Sequence, residues 1–142
     1  MTTAQRLRPI ANPSVAREEI AFSHPSEAEF ARLLDFYGIE WRYEPMVFPI
    51  DWDGEGAVSE AFTPDFYLVA QDCYIELTTM RQSLTRTKRR KIQRLQSLYP
   101  QVRIRLWNRR DFERLLSKYG LASRRSQLVG QDALINDHEH AV

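Results

Sequence analysis

Hydrophobic positions along the chain change period several times, and each change marks an element. Phe30, Leu33, Leu34 and Tyr37 recur at steps of three and four, which predicts an amphipathic helix from about Ser26 to Tyr37. Ser26 is the expected N-cap, Glu27 and Glu29 suit the first turn, and Gly38 supplies the stop. Glu27 lies one turn before Phe30 and so borders the apolar stripe. Trp41-Arg42-Tyr43-Glu44 alternates as a strand. Pro45 and Pro49 confine its continuation through Phe48 to an edge or a bulge. Asp51 to Gly56 is an acidic, turn-forming loop without the spacing of a calcium-binding hand.

Two runs of aromatic and β-branched residues follow, Phe62 to Leu68 and Cys73 to Thr79. Separated by Ala70-Gln71-Asp72, they predict consecutive strands of a hairpin. In the second run Cys73, Ile75 and Leu77 share one face while Tyr74, Glu76 and Thr78 share the other. After Thr79 the period becomes helical: Leu84, Lys88, Ile92, Leu95 and Tyr99 form one stripe that ends before Pro100. Val102 to Trp107 alternates apolar and basic residues as a strand with one wet face. Asp111 to Tyr119, with Phe112, Leu115 and Leu116 inward, predicts a final helix stopped by Gly120. The order predicts a three-layer α/β/α sandwich on a mixed central sheet, with a right-handed crossover into the last strand. Residues 24–119 form the expected domain. Residues 1–23 read as a flexible leader with one helical turn near Val15 to Ile20, and residues 120–142 as a mobile tail.

The 142 residues, 43% of them hydrophobic, suffice for one core. No apolar run approaches the roughly 20 residues that span a bilayer. The lone cysteine, Cys73, excludes an internal disulfide, suits a reducing cytoplasm and reads as a small buried hydrophobe. The net charge of +1 hides a division: residues 1–80 carry a balance of −9, residues 81–125 one of +13, and the tail −3. A basic block beside an acidic half suits an enzyme acting on a polyanion with the help of a cation, although a solvated helical face reads the same way. His138 and His140 lie in the tail, where an isolated His-x-His pair is rarely a site.

The candidate chemistry sits on the predicted hairpin. Asp65 and Glu76 are carboxylates among residues that want burial, and an unpartnered buried carboxylate costs several kcal/mol. Carboxylates on adjacent strands can instead share a divalent cation, which suits hard oxygen ligands. Lys88 falls on the inward stripe of the following helix, where a lysine must snorkel or find an acidic partner, and that helix could aim it at Glu76. Lys91, beside the stripe, is the second choice. Arg81, Gln82 and Thr85 lie in the connection where a phosphate would approach. Arg86, Arg89, Arg90 and Arg94 on the outer face, with Arg103 and Arg105 on the last strand, could neutralise further phosphates.

Pro64-Asp65 followed by Glu76-Leu77-Thr78 resembles the PD-(D/E)xK nuclease superfamily, with threonine at the place of the motif lysine. The order of Glu27, the Gly38-Ile39 turn, Tyr43-Glu44, Pro64-Asp65 and Glu76 is similar to phage Holliday-junction resolvases and to transposon end-cleaving endonucleases, from roughly Ser26 to Trp107. The resemblance implies a restriction-endonuclease-like fold and a Mg2+- or Mn2+-dependent endonuclease hydrolysing phosphodiester bonds in nucleic acid, DNA foremost. It implies Asp65, Glu76, the Leu77 carbonyl and Glu27 as the metal shell and Lys88 as a catalytic lysine moved onto the helix. It also leaves a homodimer open, since members that cut both strands often dimerise. Thr78 has neither the charge nor the basicity of a lysine. Two alternatives therefore stand beside the enzyme: a nuclease-like module that binds nucleic acid without cutting it, and a protein-interaction module.

Overall fold

The computed structural model of the protein describes residues 7–78, 82–115 and 117–118. Its architecture is mixed α/β. The strands are β1 (Ile10–Ala11), β2 (Trp41–Tyr43), β3 (Met46–Trp52), β4 (Val58–Phe62), β5 (Phe66–Leu68), β6 (Cys73–Leu77) and β7 (Ile104–Trp107). The helices are α1 (Pro25–Phe36), α2 (Gln82–Leu98) and α3, over residues 109–115 and 117–118. The strands form two sheets instead of the single one expected. One has the order β2-β5-β6-β7, antiparallel except for the parallel β6–β7 pair, and the other has the order β1-β3-β4.

Most elements fall where the hydrophobic periods put them, but several boundaries differ for local reasons. The N-cap of α1 is His24, not Ser26: its Nδ1 accepts the Ser26 N–H at 3.1 Å, and Pro25 takes the first helical position, where no N–H is needed. Gly38 does end the helix, in the left-handed conformation with φ of 69°. The run Phe62 to Leu68 is not one strand. Phe62 closes β4 in one sheet and Phe66 opens β5 in the other, so Asp65 sits on the connection between sheets. Pro49, Asp51 and Trp52 lie within β3, and the acidic turn is correspondingly shorter. The register slips between Pro49 and Asp51, and the carbonyls at this bulge are taken up by α2 and the residue that follows it: Tyr99 donates its hydroxyl to Pro49 O at 2.8 Å and Arg94 its Nε to Ile50 O at 3.0 Å. α3 starts behind Asn108, which exchanges hydrogen bonds with Asp111 as a capping box.

Two apolar clusters cover opposite faces of the four-stranded sheet. Phe66, Leu68, Cys73, Ile75, Leu77 and Trp107 pack under Phe30, Ala31 and Leu34 of α1 and Phe112 of α3. On the other face Ile104 packs with Ile92 and Leu95 of α2, with Tyr99 just past its end, and with Phe48, Ile50 and Phe62 of the β3–β4 hairpin. Residues read as a leader reach this core. β1 pairs with β3, Ile20 and Phe22 pack against the first cluster, and Arg17–Glu19 forms a short 3-10 turn near the expected place. Arg17 bonds Asp35 and lies 4.6 Å from the Trp41 ring centre. The tail from residue 119 onward, with Gly120, His138 and His140, lies outside the described residues, as does Leu116.

Phe66 has no exposed surface and meets Phe22, Phe30, Trp41 and Tyr43 ring to ring. Phe66→Ala is expected to cost about 3–5 kcal/mol in urea unfolding. Leu84, assigned by period to the inward stripe but 47% exposed, should cost under about 1 kcal/mol when changed to alanine.

Candidate active site around Asp65, Glu76 and Lys88

The connection between the sheets delivers Asp65 beside β6, and its backbone is held at both polar atoms. The Asp65 N–H donates to Glu76 Oε1 at 3.1 Å, and its carbonyl accepts the Glu44 N–H at 2.8 Å. Glu44 reaches it from a left-handed conformation with φ of 44°, which costs a non-glycine residue about 1–2 kcal/mol. The Asp65 side chain returns the exchange: Oδ2 accepts the Leu77 N–H at 2.9 Å. Each carboxylate therefore secures the other residue's stretch of backbone. Glu76 is nearly buried, on the face that the alternation of β6 gives it.

Lys88 enters from α2. Its Nζ lies 3.1 Å from Glu76 Oε2 and donates a hydrogen bond to the Leu77 carbonyl. One turn earlier Leu84 already emerges into solvent, so Lys88 marks where the apolar face of α2 leaves the core. The sequence expectation that this helix aims Lys88 at Glu76 matches the geometry. Thr78, in the motif position, pairs its hydroxyl with that of Thr85 at 3.1 Å, linking the end of β6 to the first turns of α2.

Burial dominates the electrostatics. The Asp65 carboxyl is pushed up to about 8 by loss of water, then by the Glu76 charge and, more weakly, by that of Glu27; the Leu77 N–H and Lys88 oppose the shift. Glu76 is also raised by burial, but Lys88 holds it down with both charge and hydrogen bond. The pair thus favours a proton on Asp65 and the negative charge on Glu76 beside the ammonium.

Glu27 is carried to the buried face of α1 with Phe30, Ala31 and Leu34. Its Oε1 accepts the Tyr43 hydroxyl at 2.5 Å, and burial and this bond push the Tyr43 hydroxyl pKa upward. Sequence periodicity did not reveal Tyr43 as this partner, because nothing local links β2 to α1. Among the described residues no three His, Cys, Asp or Glu side chains gather closely enough to hold a metal. What the chain offers together is Asp65, Glu76 and the Leu77 carbonyl. These are hard oxygens of the kind Mg2+ and Mn2+ prefer, so the donor chemistry fits, with Lys88 already resting on two of them.

The expected phosphate grip divides. Arg90 makes two bonds to Glu60, at 3.0 and 3.3 Å, and Arg94 is committed to β3, so both tie α2 to the second sheet. Arg86 and Arg89 are exposed and Lys91 half-buried. Arg81 and the side chain of Gln82 lie outside the described residues. A cavity of about 1150 Å³ opens elsewhere, between residues 11–21 and β2, lined by Trp41, Tyr43, Tyr67 and Tyr74; it contains neither Asp65 nor Glu76. Perturbed, converging acids and a lysine are a stronger sign of chemistry than volume.

Comparison with protein-family models, curated proteins and solved structures finds no match to this chain in any of the three. Among the described residues no helix is long and apolar enough to cross a membrane.

A carboxyl whose pKa is higher folded than unfolded stabilises the fold least above its folded pKa, so the contribution of Asp65 should decline as pH rises from about 4 through about 8. Asp65→Asn keeps an oxygen for the Leu77 N–H without the charge. In urea titrations it should be more stable than wild type by about 1 kcal/mol or more near pH 8, and the gap should close towards pH 4. A gap independent of pH would contradict this account.

Proposed function

We propose that the protein is a metal-dependent endonuclease with a restriction-endonuclease-like α/β/α fold of the PD-(D/E)xK kind, acting in the cytoplasm on nucleic acid, DNA foremost. One observation carries the reading. Lys88 comes from α2 to the Glu76 carboxylate and the Leu77 carbonyl, where a lysine two residues after Glu76 would otherwise be needed. The buried Asp65–Glu76 pair, costly unless it serves a cation, supports it.

In this reading Asp65, Glu76 and the Leu77 carbonyl hold Mg2+ or Mn2+, which supplies a Lewis acid that neutralises charge on the phosphate. The three donors of the Lys88 ammonium steady a phosphate oxygen or a water beside it. Arg86 and Arg89 meet the neighbouring phosphates through salt-sensitive, sequence-independent contacts. Glu27 acts on Asp65 through its charge and holds α1 to β2 through Tyr43.

A second reading, a nuclease-like module that binds without cutting, draws on one feature: both Glu76 oxygens already have partners within the chain, Asp65 N–H and Lys88.

Cleavage of supercoiled plasmid and of a branched DNA should require Mg2+ or Mn2+. It should fall about 100-fold or more in Asp65→Ala, Glu76→Ala and Lys88→Ala purified identically. Cleavage that survives Glu76→Ala would overturn the assignment. Salt-sensitive DNA binding that persists in chelator and in Asp65→Ala, with no cleavage by wild type, would select the second reading.

A further inference from the structure

We propose that Lys88 and a divalent cation are alternative occupants of the same two oxygens, Glu76 Oε2 and Leu77 O, so that the lysine must leave as the cation enters. The inference rests on the endonuclease reading and goes beyond it by assigning Lys88 two positions.

The hydrogen bonding around Glu76 favours one oxygen. Oε1 already spends one lone pair on the Asp65 N–H, which leaves Oε2 the freer oxygen for a cation, and Lys88 Nζ lies 3.1 Å from it. The same ammonium donates to the Leu77 carbonyl, while the Leu77 N–H is held by Asp65 Oδ2. An ammonium and a divalent ion sharing these oxygens would lie at contact distance and repel strongly in a partly buried setting. Lys88 therefore neutralises Glu76 whenever no metal does, which explains how so buried a carboxylate is tolerated in the chain alone.

The surroundings give Lys88 somewhere to go. Its side chain is 30% exposed against 6% for Glu76, and Leu84, one turn nearer the helix start, is half-exposed. A four-carbon stem anchored at the rim of the core can swing its head outward without disturbing Ile92 or Leu95, which remain buried. Displaced, the ammonium stays at the exposed first half of α2. The site would thus exchange an internal cation for a metal and release a lysine towards the substrate.

The consequence is a penalty on metal affinity. If Lys88 covers these oxygens in nine molecules of ten, apparent affinity falls about tenfold, and removing the ammonium restores it. Calorimetric titration of Mn2+ into wild type and Lys88→Met, at one pH and without nucleic acid, should show the variant binding about tenfold tighter. Equal or weaker binding by a folded Lys88→Met would overturn the inference. Because that variant leaves Glu76 without its cation and can misfold, a second measurement uses wild type. Acetic anhydride labelling read by mass spectrometry should rise severalfold at Lys88 on saturation with Mn2+, with Lys91 as the unchanged control. Unchanged labelling at Lys88 under saturating Mn2+ would also overturn it. If neither protein binds Mn2+, the metal centre itself fails along with this inference. Equal affinities with metal-dependent cleavage intact would remove only the exchange.

Discussion

Two carboxylates buried side by side are the constraint around which this molecule is arranged. Asp65 and Glu76 each accept a backbone N–H from the other's stretch of chain, so they stitch the connection between the two sheets to the end of β6. That stitching demands compensation, because neighbouring buried negative charges are unfavourable. The fold answers with a proton favoured on Asp65 and an ammonium on Glu76. The ammonium belongs to a helix that must be placed accurately for the purpose.

The placement of α2 is secured far from the carboxylates. Its C-terminal half buries Ile92 and Leu95, and Arg94 with Tyr99, just past the helix end, clamps the irregular β3 through carbonyls at the register shift. Arg90 adds a bond to Glu60 on β4. Residues that look from composition like phosphate binders are therefore divided between holding the helix and facing solvent. The half of α2 nearest the carboxylates is the less buried half, where Lys88 can reach inward and still contact water.

The hydrophobic periods located α1, α2, the β5–β6 hairpin and β7, because each buries one face against a continuous core and so must repeat at its own spacing. They located boundaries less well where a local interaction competed with the pattern. The His24 cap and the break between Phe62 and Phe66 follow from partners that no short window contains. The separation into two sheets has the same origin: the β3–β4 hairpin finds its apolar partners on α2, across the chain.

Asp65, Glu76 and Lys88 were legible in sequence because each breaks a pattern, a charge where the period asks for an apolar or half-buried residue. Their mutual geometry was not, since it depends on how the connection between sheets turns and on how far α2 extends over β6. Tyr43 as the partner of Glu27, and Glu60 as the partner of Arg90, belong wholly to the tertiary structure. The sequence by itself determined which residues are too costly to bury unaccompanied. Only folding decided which oxygens meet which cation, because hydrogen bonds and ion pairs act over about 3 Å and their partners lie many residues apart.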